Sequence, residues 1–233
     1  KVINANKITY TKSEEFLLAE GDVKIYDNQG NTLITEKATY DKKKEEVITY
    51  DISKLSLDAG YTLNSKNISY EFFDETALLE KTVELITNEN VVGWYQGKME
   101  WGPRALGNRS ILADPRNKSM KDILNKKIKH RESFRPFAPS ILEEYVSDYF
   151  EMDIPSPYML MVAKVKQPDK IPAVTHVDGT GRLQSVSNES NPLYYKLIHT
   201  FYEKTGIPVL INTSMNVMGE PIVNTPEHAY NML

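Results

Sequence analysis

Over the first seventy residues, apolar and polar positions alternate in short stretches such as Val23-Lys24-Ile25-Tyr26, Thr32-Leu33-Ile34-Thr35 and Val47-Ile48-Thr49-Tyr50. A period of two among β-branched and aromatic residues predicts strands. The interruption Asp27-Asn28-Gln29-Gly30-Asn31 predicts a turn, and the charged run Asp41 to Glu46 reads as a solvated one. Ile8-Thr9-Tyr10, Ala38-Thr39-Tyr40 and Ile68-Ser69-Tyr70 place tyrosines at 10, 40 and 70, a spacing of 30 that predicts a repeat. After Tyr70 the period changes. Leu78, Leu79, Val83 and Ile86 recur at helical spacing and predict an amphipathic helix over 76–86. Val91-Val92-Gly93-Trp94-Tyr95 and Ile207-Pro208-Val209-Leu210-Ile211 then read as buried strands, and 123–131 as a helical segment ending in positive charge.

Composition sharpens the division. All 12 prolines and all six arginines of the 233 residues lie between Pro103 and Pro226. Two units of different character are therefore expected: an all-β repeat over 1–72 and an α/β domain over 73–233, α+β overall. With 40% hydrophobic and 26% charged residues the chain has ordinary globular composition. A net charge of −4 gives no support to a general nucleic-acid binder. The absence of cysteine excludes disulfides, thiolate metal sites and a cysteine nucleophile. No apolar run reaches the roughly 18 residues of a membrane span, and Lys1-Val2-Ile3-Asn4 has no signal-peptide core. Beginning at Lys1 and stopping at Leu233 inside an apparent helix, the chain reads as processed, trimmed or a fragment.

Candidate chemistry is confined to the second unit. Glu100 to Ser110 packs Arg104, Asn108 and Arg109 among glycines, where backbone N–H groups and guanidinium forks suit an oxyanion; a surface loop with incidental ion pairs is the competing reading. Lys129 and Arg131 stand two apart and would share a side on extended backbone, although cations at a helix end also complement its dipole. Arg135, between Phe134 and Pro136-Phe137, would need an anionic partner if buried. Asn212, Thr213, Ser214 and Asn216 follow a buried strand, a common place for ligand contacts in α/β sheets and equally for a capped turn. His176, Asp178, Thr180 and Arg182 form a further polar stretch, and His-x-Asp by itself is weak evidence for a metal or a base. No metal ligand is singled out.

From about Val91 onward the chain resembles the C-terminal domain of the carbamoyltransferases that include nodulation and antibiotic-tailoring enzymes. Four blocks carry the resemblance in order: Gly93 to Arg116, Arg131 to Ser140, Thr175 to Arg182, and Asn212 to Ile222. The resemblance implies a YrdC-like twisted α/β sheet whose Lys-x-Arg and Ser-x-Asn signatures correspond to Lys129-His130-Arg131 and Ser214-Met215-Asn216. It also implies ATP with Mg²⁺ and carbamoyl phosphate as reactants, a carbamoyl-adenylate intermediate and a hydroxyl acceptor. Lys129, Arg131, Ser214 and Asn216 would be catalytic. Arg104, Asn108, Arg109, Arg135, His176, Asp178, Thr180, Arg182, Asn212 and Thr213 would bind substrate or nucleotide. The family's N-terminal half, an actin-like fold that carries the acceptor site, is not visible in this chain, so full transfer would need it.

Residues 1–70 resemble the OstA-like repeats of lipopolysaccharide-transport proteins, through Ala19-Glu20-Gly21-Asp22-Val23-Lys24-Ile25-Tyr26-Asp27 and the recurrent Lys-x-Thr-Tyr. That resemblance implies a β-jelly-roll, with lipid or lipopolysaccharide as ligand, or a scaffold that oligomerises through edge strands. The two resemblances pull the compartment apart, ATP chemistry toward the cytoplasm and the repeat toward the periplasm.

Overall fold

A computed structural model describes residues 1–27, 30–56, 62–66, 69–71 and 73–232. Phe72, Ile68 and Asn28-Gln29, on which the expected boundary, part of the third tyrosine repeat and part of the first turn fall, lie outside them. The chain forms two compact units, residues 1–74 with 225–231, and residues 75–224 with 232–233.

The first unit contains β1 (Val2–Asn4), β2 (Lys7–Thr11), β3 (Phe16–Tyr26), β4 (Thr32–Asp41), β5 (Glu46–Thr49), β6 (Ile52–Ser56), β7 (Thr62–Lys66) and β8 (Ser69–Glu71). These strands hydrogen-bond into one antiparallel sheet. Its ladder is interrupted at one level. The β3–β4 register shifts between Glu20 and Val23, where Gly21 and Asp22 take positive φ of 76° and 46°. At the same level the flanking strands break, between β1 and β2 where Asn6 N–H donates to the Gly21 carbonyl, and between β5 and β6 where Tyr50 N–H donates to Lys37. Ala19, Val23, Ile25, Leu33, Ala38, Val47 and Leu55 form one buried cluster.

The 30-residue tyrosine spacing has a geometric meaning. Tyr10 lies opposite Leu17, Leu17 opposite Tyr40, Tyr40 opposite Val47, and Val47 opposite Tyr70. The three positions thus occupy one row across five strands. The repeat unit is a pair of antiparallel strands, and its period is the chain length of one up-and-down excursion.

The second unit contains α1 (Glu75–Thr87), β9 (Val92–Tyr95), β10 (Arg109–Ala113), α2 (Met120–Ile123), β11 (Ala138–Leu142), α3 (Val146–Tyr149), β12 (Val162–Lys164), β13 (Thr180–Arg182), β14 (Gln184–Val186), α4 (Pro192–Thr205) and β15 (Val209–Ser214), before α5 (Pro226–Met232). Five strands form a mixed sheet in the order β14-β11-β15-β10-β9, with β12 and β13 paired separately. Helix α1 buries Leu79, Thr82, Val83 and Ile86, whereas Leu78, expected on the same side, remains partly exposed. Helix α4 starts with Pro192 after the Asn191 cap and ends on Gly206 at φ 73°. It buries Tyr194, Leu197, Ile198 and Phe201 at positions i, i+3, i+4 and i+7. Each such side chain contributes about 1.5–3 kcal/mol by leaving water.

Candidate active site

Strand register places the site. Ser214, at the C-terminal end of β15, lies opposite Ser110 near the start of β10. Asn212 lies opposite Ala138, the first residue of β11, and β14 runs parallel to β11 directly after Arg182-Leu183. Segments 129–137, 182–183 and 214–216 consequently meet at one end of the sheet.

Lys129 is the centre of this end. After α2 the chain widens into a π-helical turn over Leu124–Ile128, and Lys129 N–H closes it on the Leu124 carbonyl at 2.9 Å. His130 then takes φ 47° and reverses the chain. The segment is not extended, so the expectation that Lys129 and Arg131 share a side through a period of two is corrected. Lys129 is buried and its Nζ donates to the Ser214 carbonyl, to the Asn216 carbonyl at 2.8 Å and to Asn216 Oδ1 at 2.8 Å, with Ser214 Oγ at 3.3 Å. Ser214 Oγ donates to Asn216 Oδ1 at 2.6 Å, and Asn216 Nδ2 donates to the Glu220 carbonyl at 2.7 Å. Burial, then the charge of Arg131, push the Lys129 pKa down to about 7. Among the described residues no carboxylate pairs with it, and the oxygens around it are all neutral.

Arg131 lies across the Phe137 ring, 4.8 Å from the centroid, and donates through Nε to Asn125 Oδ1 at 2.7 Å. Asn125, missed from the sequence, is wholly buried and also holds the carbonyls of Ser133 and Arg135. Arg182 is half-buried, its Nε has no hydrogen-bond partner, and burial together with the neighbouring charge of exposed Arg104 lowers its pKa. Two guanidinium groups approach each other here, which is unfavourable until an anion joins them. Beside them His176 Nδ1 lies 3.1 Å from Thr180 Oγ1, and Thr180 donates through both N–H and O–H to Asp178 Oδ1 at 3.0 and 2.7 Å.

Other expected ligand residues turn inward. Arg109 is 1% exposed, donates to the carbonyls of Gln96 (2.7 Å), Asn108 (2.8 Å) and Gly97 (3.0 Å), and lies over the Tyr95 ring. Its place in phosphate binding is corrected to a structural clamp. Asn108 serves the same network, accepting from Gln96 Nε2 and Asn191 Nδ2 and donating to the Lys98 carbonyl. Asn212 is buried and its Nδ2 holds the Ala105 carbonyl and Gln184 Oε1. Thr213 points to the opposite face of β15 from Asn212 and Ser214 by strand alternation. Arg135 is exposed, not buried, and pairs with Glu132 at 2.9 Å.

The glycine-rich loop itself is occupied by its own chain. Glu100 Oε1 accepts the N–H groups of Leu106 and Asn108, each at 2.7 Å, and Ser110 Oγ accepts that of Gly107. An oxyanion was expected on these amides; it is the Glu100 carboxylate. Gly107 adopts φ 115°, and a Cβ there would collide with the Tyr194 ring. Gly107→Ala is expected to cost at least about 2 kcal/mol through overpacking and backbone strain, read as a lower urea midpoint. A midpoint equal to the parent's would show that the loop can re-form elsewhere.

Among the described residues no group of three or more His, Asp or Glu is placed to hold a metal ion, and no helix is long and apolar enough to cross a membrane.

Fold and site together define an α/β domain with cations and neutral hydrogen-bonding groups concentrated at one sheet end. Residues 83–233 match the family model described as the carbamoyltransferase C-terminus, and the chain belongs to that family. It is 47% identical over 157 residues to nodulation protein NolO of Bradyrhizobium diazoefficiens, covering 65% of this chain and 29% of the relative. It is 45% identical over 134 residues to the 3'-hydroxymethylcephem-O-carbamoyltransferase of Amycolatopsis lactamdurans, covering 58% and 26%. The chain therefore spans less than a third of the length of these curated relatives. The crystal structure of P. abyssi Sua5 complexed with L-threonine superposes with a TM-score of 0.51 at 14% identity, covering 69% of this chain and 45% of that one. It shows a shared fold and fits the YrdC-like expectation. The family match leaves residues 1–82 outside it, and the lipopolysaccharide-transport resemblance of residues 1–70 finds no support in these comparisons.

Proposed function

We propose that residues 75–224 bind ATP and carbamoyl phosphate and support formation of a carbamoyl-adenylate, from which the longer proteins of the family transfer the carbamoyl group to a hydroxyl acceptor. The observation that carries this reading is that strand register brings the segments of Lys129, Arg131 and Arg182 to one sheet end, with Arg104 beside Arg182, and that none of the four has an ion-paired carboxylate among the described residues. Both reactants are polyanions. Two like charges 4 Å apart repel by about 4 kcal/mol at an effective dielectric constant near 20, so bringing carbamate oxygen to phosphorus requires several unneutralised cations. Ser214 and Asn216, already hydrogen-bonded to the Lys129 ammonium, would orient a carbamate or phosphate oxygen without adding charge. With no carboxylate cluster for a metal among the described residues, Mg²⁺ would be held on the triphosphate by phosphate oxygens and water. The relative's name, an O-carbamoyltransferase acting on a hydroxymethyl group, suits the same acceptor chemistry.

Isothermal titration of the intact chain with Mg·ATP and with carbamoyl phosphate tests this. Heat of binding is expected with both, and Arg182→Ala is expected to weaken the nucleotide by about tenfold or more, the worth of a charge-assisted contact. No heat with either reactant, or binding indifferent to the arginine, would sink the proposal.

A further inference from the structure

Arg104 is exposed, and among the described residues no ion pair or hydrogen bond holds its guanidinium. Its charge reaches half-buried Arg182 and disfavours the charged form there. Like charges repel, so on a loose loop the two side chains would move apart. Arg104 therefore stays beside Arg182 because its backbone is held.

On its C-terminal side that backbone is tied to the sheet. Ala105 is buried, and its carbonyl accepts from Asn212 Nδ2 at 3.1 Å. The Leu106 carbonyl accepts from Gln184 Nε2 at 2.8 Å, and Gly107 N–H donates to Ser110 Oγ at 3.0 Å. On the N-terminal side the tie is Glu100, whose Oε1 accepts the N–H groups of Leu106 and Asn108, each at 2.7 Å. One oxygen thus joins residue 100 to residues 106 and 108, and Trp101 to Arg104 become a short excursion between two anchors. Pro103, immediately before the arginine, has a fixed φ. Closing the second end removes backbone conformations that would carry Arg104 away. A carboxylate suits the task, since one of its oxygens can take two donors and its charge strengthens both bonds. Oε2 is buried without a hydrogen-bond partner. Trp101, next in the chain, is 105% exposed whereas Trp94 is 5% exposed, so the excursion carries its own fluorescent reporter.

We infer that Glu100 is a positioning residue for anion binding: its carboxylate closes the loop on Leu106 and Asn108 and so keeps Arg104 beside Arg182. Glu100 acts through Arg104 and needs no contact with a reactant, because its bonds go to backbone amides of its own loop. The inference rests on the proposed function for the anion, a phosphate group of ATP or carbamoyl phosphate, which would join the two guanidinium groups and relieve their repulsion.

The test is a double-mutant cycle between Glu100 and Arg104 in the intact protein, read by calorimetry with Mg·ATP and by urea midpoints of the same variants. Glu100→Ala is expected to weaken ATP by about tenfold, the worth of a charge-assisted contact. It should also increase fast depolarisation of Trp101 fluorescence, which iodide quenching separates from that of buried Trp94. Glu100→Gln, which keeps an acceptor oxygen, should recover part of both. In an Arg104→Ala background the loss of Glu100 should weaken ATP no further, while its effect on the urea midpoint persists. A merely structural Glu100 would weaken ATP equally with and without Arg104. If the alanine variant does not fold, the same contrast is expected at smaller amplitude with Glu100→Gln. Equal weakening in both backgrounds, or parental affinity in either Glu100→Ala or Arg104→Ala, overturns the inference. Should the parent still bind ATP in a manner that depends on Arg182, the positioning role alone has failed; no heat with the parent means that the proposed function has failed as well.

Discussion

Replacing Arg109 with alanine is expected to destabilise the second unit by about 3–5 kcal/mol, because it strands several buried carbonyls and leaves a cavity. The side chain is 1% exposed and spends its terminal nitrogens on Gln96, Gly97 and Asn108 while covering Tyr95. In a unit of this size the melting temperature should fall by on the order of 10 °C. Both tryptophans, Trp94 and Trp101, belong to this unit, so their fluorescence in urea or on heating reports on it. Lysine should recover only part of the loss, since an ammonium lacks the planar fork that reaches three carbonyls and stacks on a ring. A variant that melts like the parent yet loses affinity for ATP would return Arg109 to phosphate binding.

Lys129→Ala should raise the dissociation constant of a phosphate-bearing reactant by roughly 10- to 100-fold, the worth of a partly buried charge-assisted contact. The pH dependence distinguishes this residue from other cations. In the free protein its pKa is about 7, and an anion favours the charged form, so binding above that pH must draw a proton in. Affinity is therefore expected to fall as pH rises above 7, by up to tenfold per unit, until the pKa of the complex is reached. Between about pH 7.5 and 9, where phosphate no longer titrates, the alanine variant should be flat.

Stability should run the other way. The unfolded chain keeps the Lys129 proton up to about 10.5 while the folded protein releases it near 7, so folding gains as pH rises through that window. Alanine at 129 should remove this slope, and because it strands the Ser214 and Asn216 carbonyls it should also lower stability at neutral pH by about 1–3 kcal/mol, measured by urea unfolding at several pH values. A variant that keeps the parent's pH slope would mean that another group titrates in this window.

The predicted helix over 76–86 and strands at 91–95 and 207–211 required only local periodicity, and each appears within a few residues of its expected place. The tyrosines at 10, 40 and 70 were legible as a repeat because strand pairing converts equal chain excursions into one row. The register shift at Gly21-Asp22 was not, since it goes with breaks in the neighbouring strands at the same level. Within the site, the pairing of Lys129 with Ser214 and Asn216 joins residues 85 and 87 positions apart, a distance at which no local pattern operates.

By itself the sequence determined which residues were charged, where chain direction had to change, and that arginine and proline are confined to residues 103–226. Tertiary structure decided what each cation does. Arg104 and Arg109 come from one motif, yet one faces solvent beside Arg182 and the other is enclosed by carbonyls. The glycine loop that suits a phosphate is filled by Glu100. The reason is physical: a charge buried on folding must find partners within about 3 Å, and which partners lie that close is a property of the packed fold, not of spacing along the chain.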